Sequence, residues 1–379
     1  MDLERLIART RALQAIPAPT FSEADRGEWL RSEFEECRLV DVTVDTVGNV
    51  LARIPGRGPG AVVVSAHLDT VFPHGTDLTA RRDADRLWGP GIGDNALGLA
   101  ALAELGLDLS AAPPPCDVCL AATVGEEGLG NLRGMTQVVQ RFRLQAKAYI
   151  VVEGMSLGTI YHRSLPIRRL RLEARAPGGH AWTHAGRPSA AHALLRLGAE
   201  LLRLPRPDPR KPSLNIGRIE GGTSINTIAA QAAMEIDLRC EDRAMLEAFL
   251  AEVRRVIDVT RQQGADIRWE SVGDRPGGSI PEEHPLVQSA RAALLQAGVE
   301  EVQLEVGSTD ATVPLSQGLP AVCVGLTHGG GTHSLSENIE LEPIPRGYQA
   351  LLTLVRAVCA MDLSPAGSGT LPFVNKRPS

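Results

Sequence analysis

The chain has 379 residues, 43% apolar and 22% charged, which is long for a single core and too apolar for wholesale disorder, so two domains of a soluble globular protein are expected. A formal net charge of −6 gives no broad positive field, which argues against nucleic acid or an anionic membrane as partner and for a small molecule. The start, Met1-Asp2-Leu3-Glu4-Arg5, lacks the basic and apolar regions of a signal peptide and no apolar run is long enough to span a bilayer, so a cytoplasmic protein is predicted.

Leu3, Leu6, Ile7, Leu13 and Ile16 fall at near-helical spacing, and Ser22 precedes a second helical stretch. Strands are predicted over 40–47 and 50–54 around the Gly48-Asn49 turn, and the continuous apolar run 61–66 suits a central buried strand. A helix over 96–109 and strands over 118–124 and 148–152 follow. Six cysteines scattered over the chain fit reduced thiols, and Cys116-Asp117-Val118-Cys119, running into an apolar stretch, reads as a pair of buried strand cysteines. From about Ile167 the texture changes to Leu170, Leu172, Ala174 and Ala176 alternating with charge, the period of a half-exposed antiparallel strand. A helix over 189–204, a loop with Pro205, Pro207, Pro209 and Pro212, alternating strands to Arg239, a helix over 245–260 and a strand near Ile267 complete a β-α-β-β-α-β order. That order predicts an inserted ferredoxin-like α+β module. The first texture returns at 285–297 and 321–326, and the Pro/Gly/Ser-rich end reads as a flexible tail. The expected division is 1–165 and 277–363 for a discontinuous catalytic domain, 166–276 for a lid and dimerisation domain, and 364–379 for the tail.

Five patches carry candidate chemistry, each placed at a strand end or on a loop, where ligands bind in open α/β sheets. His67 and Asp69 lie two apart on a strand and share a face, so a carboxylate can orient an imidazole whose other nitrogen binds metal. Alone, the pair also reads as a solvated loop. Asp94 follows the glycine-dense Gly89-Pro90-Gly91-Ile92-Gly93, where a carboxylate can bridge two cations or merely cap a helix. Glu126 and Glu127 are neighbours whose side chains diverge, so one can bind metal while the other handles protons; the bland alternative is an exposed acidic turn. Glu153 ends an apolar strand, where an acid needs a partner, and His333 sits in a Gly-rich loop with His328 as a rival ligand.

Taken in order, Ser65-Ala66-His67-Leu68-Asp69-Thr70, Gly93-Asp94-Asn95, Gly125-Glu126-Glu127-Gly128-Leu129-Gly130, Gly178-Gly179-His180-Ala181, Ser224-Ile225-Asn226-Thr227-Ile228, Gly307-Ser308-Thr309-Asp310 and His333-Ser334-Leu335-Ser336-Glu337 are specific. Over roughly residues 1–360 the chain resembles the dinuclear zinc metallopeptidase and amidohydrolase family of glutamate carboxypeptidase, peptidase T, aminoacylase, acetylornithine deacetylase and succinyl-diaminopimelate desuccinylase. The resemblance implies an α/β fold with a mixed sheet flanked by helices and an inserted ferredoxin-like lid. It implies two Zn(2+) per chain, Co(2+) or Mn(2+) being alternatives, with His67, Asp94 and Glu153 on one and Asp94, Glu127 and His333 on the other. Glu126 would be general base and acid, Asp69 the orienter of His67, and the Asp94-Asn95 peptide cis. His180, with His184 a lesser candidate, would stabilise the oxyanion across a homodimer interface, and Asn226 and Arg239 would contact substrate, the guanidinium suiting a carboxylate. The expected activity is hydrolysis of the amide bond of a small peptide or N-acyl amino acid by a metal-bridging water. The alternatives are an N-carbamoyl amino acid amidohydrolase or a catalytically silent metal-binding paralogue. Two departures stand out: Glu rather than Asp at 153, and Thr183-His184 after Ala181-Trp182.

Overall fold

The computed structural model describes residues 1–206, 212–261 and 266–363. Pro207 and Pro209 of the predicted loop and the predicted tail 364–379 lie outside them. The main sheet takes its order from hydrophobic runs that can be buried on both faces. From one edge it reads Val40–Val44, Val50–Ile54, Cys116–Thr123, Gly58–His67, Ala146–Glu153, Ala321–Gly325, Thr159–Ser164 and Gly278–Ser279, with Gln303–Gly307 also pairing with Thr159–Ser164. Gly58–His67 runs parallel to both neighbours, and Ala146–Glu153 is parallel to Ala321–Gly325, whereas the Val40–Val44 edge and the Thr159–Ser164 pairings with Ala321–Gly325 and Gly278–Ser279 are antiparallel. The parallel register sets His67 opposite Thr123, three residues before Glu126, and Val324 opposite Val152, one before Glu153. Three of the five patches therefore emerge from adjacent strand ends along one edge.

The helix Leu97–Ala111 is apolar almost all round and almost wholly buried, as such a helix must be, and its lone inward acid, Glu104, meets Arg5 and Arg9 at 2.7 and 2.5 Å. It begins directly after the Asp94 loop, so the packing that fixes the helix also fixes that loop.

The segment predicted as an inserted module forms its own four-stranded antiparallel sheet, ordered Ser213–Gly221, Gln231–Arg239, Ile167–Arg175, Asp266–Arg275. Helices Ala190–Leu202 and Arg243–Arg261 cover one face and share a second hydrophobic cluster with it, separate from the main one. In strand sequence this is the ferredoxin-like arrangement. Two features were not anticipated: a small sheet of Arg81–Arg82, Arg86–Trp88, Asn338–Glu340 and Gly329–Gly330, and the long last helix Ile344–Ala360. The small sheet ties the loop of Asp94 to the loop of His333. No helix among the described residues is long and apolar enough to cross a membrane.

Candidate active site

His67 ends its strand at 2% exposure, and its Nδ1 lies 3.0 Å from the main-chain oxygen of Asp69. That contact suits a protonated Nδ1 and leaves Nε2 to face the neighbouring carboxylates. There Nε2 is 2.9 Å from Asp94 Oδ1 and 3.6 Å from Glu153 Oε2. From the opposite side His333 Nε2 lies 3.1 Å from Asp94 Oδ2 and 2.9 Å from Glu127 Oε1. Two imidazoles thus approach the two oxygens of one carboxylate, and each has a second carboxylate at hand. His328, the rival, is exposed, and its carbonyl accepts the main-chain N–H of Glu340.

Several backbone devices deliver these groups. Gly91, at φ +74°, takes the turn that a side chain would disfavour, and a Cβ on Gly93 would sit 2.7 Å from Met155 and 2.8 Å from Ile339. The Asp94-Asn95 peptide is cis, as expected. Asn95, fully buried, donates to Val152 O at 2.8 Å and accepts from Gly154 N–H at 3.1 Å, so it brackets Glu153. Asp69 is also fully buried. Its carboxylate accepts the main-chain N–H groups of Glu126 and Glu127, each at 2.9 Å, and the Thr20 hydroxyl at 2.9 Å, while standing 3.6 Å from His67 Nδ1. Asp69 therefore holds the Glu126-Glu127 turn as firmly as it faces the imidazole. Burial opposes its ionisation, but His67 and the two amides prevail and hold it below the ordinary carboxylate range.

Glu126 diverges from Glu127, as neighbouring side chains must. Its Oε1 accepts from Arg275 Nη1 at 3.0 Å, and its main-chain oxygen accepts from Arg275 Nη2. Arg275 is 3% exposed, also donates to Ser308 Oγ at 2.7 Å, and keeps a buried Nε without a partner. Burial pushes the Glu126 carboxyl up to about 8 despite Arg275, with Glu127 adding repulsion, and burial lifts Glu153 to about 7. His333 moves the other way in charge preference: hydrogen bonds to Asp94 and Glu127 raise it to about 10. Asp94 is held low against burial by His333 and His67.

The donor set suits divalent cations by its chemistry. Nitrogen and oxygen donors bound at about 2.0–2.2 Å to one tetrahedral ion stand roughly 3.3–3.6 Å apart; the 3.6 Å contact falls in that range and the other three, at 2.9, 3.1 and 2.9 Å, are shorter, so a bound ion would open those pairs by a few tenths of an ångström. Single donor atoms of His67, Asp94 and Glu127 all lie within 4.8 Å of one another. Carboxylates and imidazoles are the borderline-hard ligands that zinc, cobalt and manganese accept.

The remaining predicted residues gather elsewhere. Gly179–His180 pairs with Thr227–Ile228, which places His180 and Asn226 together on a two-stranded tip closed by Ala181 N–H to Asn226 O at 2.9 Å. His180 Nδ1 accepts from the N–H groups of Trp182 and Thr183 at 3.2 and 3.3 Å. His184 Nδ1 accepts from His180 N–H at 2.9 Å. Arg239 is half-exposed and paired with Asp237 at 2.6 Å, which Arg169 also contacts at 3.0 Å. Within one chain, then, the structure brings His67, Asp69, Asp94, Glu126, Glu127, Glu153 and His333 into one cluster and sets His180, Asn226 and Arg239 on the inserted module. Sequence reasoning missed Arg275, which no motif announces, and left Glu337 and Asn95 without roles although both stand inside quoted motifs.

The model of peptidase family M20/M25/M40 matches residues 63–357. A putative succinyl-diaminopimelate desuccinylase of Mycobacterium tuberculosis is 26% identical over 358 residues, covering 91% of this chain and 96% of that one. Carboxypeptidase G2 of a Pseudomonas species is 26% identical over 346 residues, covering 85% of this chain and 81% of that one. Among solved structures, a tripeptidase from Staphylococcus aureus superposes with a TM-score of 0.78 at 20% identity, over 95% of this chain and 100% of its own, a likeness of fold. With its motifs in order, this sheet and this cluster of acids and imidazoles, the chain belongs to peptidase family M20/M25/M40 and is an enzyme of that hydrolase family.

Proposed function

We propose that the protein is a two-cation amidohydrolase that releases an amino acid from a small peptide or an N-acyl amino acid. The observation that carries this reading is the approach of His67 and His333 to opposite oxygens of Asp94, with the Glu126 carboxylate engaged by Arg275. His67, Asp94 and Glu153 would hold one cation, and Asp94, Glu127 and His333 the other. The bound cations would polarise the scissile carbonyl and acidify water. Glu126 then takes the proton of the attacking water on its free oxygen and returns it to the leaving amine. Burial raises the Glu126 carboxyl in the metal-free chain, and cations bound beside it would favour its ionised form, the one that accepts a proton. Arg275 fixes Glu126 through a side-chain and a main-chain contact, and its positive charge beside the cluster would favour a substrate that brings a carboxylate nearby. The names of the relatives, a desuccinylase and a carboxypeptidase, support substrates that carry such a carboxylate.

The segment 166–276 serves as a lid in this reading, and a homodimer brings His180 of one copy to the centre of the other. Trp182 at 86% and Ile225 at 105% exposure flank His180 and Asn226 on the tip, an apolar pair that a partner would cover. Light scattering should give twice the chain mass, and a monomer at micromolar concentration would remove the trans role of His180. The cytoplasmic setting belongs to the same proposal, since Cys116 and Cys119, like the other four cysteines, are buried and unpaired.

The test is metal content per chain with turnover of dipeptides, tripeptides and N-acetyl, N-succinyl and N-carbamoyl amino acids. Two cations and turnover of one peptide or N-acyl class are expected. Turnover confined to N-carbamoyl substrates would replace the reading with a carbamoylase, and no bound metal would overturn it.

A further inference from the structure

Glu337 is fully buried, and nothing in the proposed chemistry uses it. Its Oε1 accepts the main-chain N–H groups of Gly93 and Asp94 at 2.8 and 2.9 Å, and its Oε2 accepts that of Gly91 at 3.2 Å. Its own carbonyl accepts the N–H of Gly89 at 2.9 Å. One residue therefore binds four amides of the loop that ends in Asp94, a concave set of N–H groups of the kind that captures anions. Four positions before it in the same loop stands His333, half-exposed and at φ +63°, whose Nε2 is 3.1 Å from Asp94 Oδ2. The two loops come from parts of the chain 243 residues apart.

Resting on the cation assignment above, we infer that Glu337 is a positioning residue: its carboxylate, seated on the Gly91, Gly93 and Asp94 amides, locks the loops of Asp94 and His333 into one unit and so builds the second cation position. The two positions are not equally dependent on it. His67 is fixed by its strand and by the Asp69 carbonyl, and Glu153 is bracketed by Asn95, so the first position keeps independent supports. Glu337 holds Asp94 through its carboxylate, at 2.9 Å from the Asp94 N–H, and holds the loop of His333 through its own N–H to Ser334 O at 3.1 Å; Asp94 serves both positions, whereas His333 serves the second alone. Removing partners behind metal ligands typically weakens binding about 10- to 100-fold, and here the larger loss falls on the second cation, for which both Asp94 and the loop of His333 are released, while the first feels Asp94 alone.

The experiment compares the full-length wild type with Glu337→Gln and Glu337→Ala at pH 8. It reads stepwise zinc affinities by calorimetric titration and amide hydrogen exchange at Gly93 and Asp94 in the metal-free protein. Glu337→Ala should weaken the second zinc about 10- to 100-fold and the first by less, so that the ratio of the two affinities shifts, and the Gly93 and Asp94 amides should lose protection. Glu337→Gln, which keeps one acceptor oxygen, should fall between. A purely structural role would lower the melting temperature but leave the ratio of the two affinities and the local protection of these amides unchanged, and that result would overturn the proposal. Should Glu337→Ala fail to fold, Glu337→Gln decides alone by the same ratio. Wild-type protein that binds no second zinc would instead overturn the cation assignment, while exchange in the metal-free chain still reports on the clamp.

Discussion

Replacing Glu126 with Gln should reduce kcat by about 10²- to 10⁴-fold, the range typical for a general acid–base group, while both cations remain bound. The side chain keeps its volume and its amide oxygen can still accept from Arg275 Nη1, so the buried pair is not replaced by a cavity or a bare guanidinium. What is lost is the ability to carry a proton between the attacking water and the leaving amine. Glu126 is not among the donor atoms that crowd around Asp94, so cation content should stay at the wild-type value. KM should change little, because the group acts mainly in the transition state. Full activity in Glu126→Gln would assign proton transfer to another residue; loss of metal along with activity would make Glu126 a ligand. Glu127→Gln is the contrasting variant: its Oε1 touches His333, so it should lose metal as well as rate.

Much of the site was legible in the sequence because its parts sit where strands end, and strand ends are visible as the last residue of an apolar run. His67, Glu126 and Glu153 were each placed by that rule, and the register of the parallel strands, His67 opposite Thr123 and Ser65 opposite Val151, brings them level. The alternating texture after Ile167 similarly revealed the second sheet. What stayed hidden depends on contacts between distant parts of the chain. Arg275 meets Glu126 across 149 residues, and it lies at the end of a strand whose pattern gives it no distinction. Glu337 is an ordinary acid in a polar loop until the Gly91–Asp94 amides surround it. The small sheet that joins those loops consists of strands of two or three residues, too short to show a period of two. Asp69 was read as the partner of His67 alone, since side-chain periodicity says nothing about which main-chain amides a carboxylate receives.

Stripping the cations with a chelator should abolish turnover and leave a protein whose stability falls as pH rises from about 5 to 8. Burial raises the folded-state values of Glu126 to about 8, Glu153 and Glu337 to about 7, and Asp310 to about 6, against 4.5 for a free Glu and 3.8 for a free Asp. Between the unfolded and folded values the native chain holds protons that the unfolded chain has released. Each such group then lowers stability with pH, by about 1.4 kcal/mol per pH unit at full occupancy. Its contribution is fully present below the unfolded value and is lost as pH passes the folded one. His67 is also raised and His333 stands at about 10, which gives the same sign above 6.5. Asp69 and Asp94 are lowered, so their contribution is complete above about pH 4 and flat in this window. Cations take the place of the protons, so loading should release protons, bind more tightly as pH rises and remove most of the slope. Calorimetric melting of the stripped and zinc-reloaded protein from pH 5.5 to 8 measures both trends. A stripped protein whose melting temperature climbs over that range would show that these carboxyls are ionised in the folded chain without metal, and a stripped protein that still turns over substrate would separate the activity from the cation site altogether.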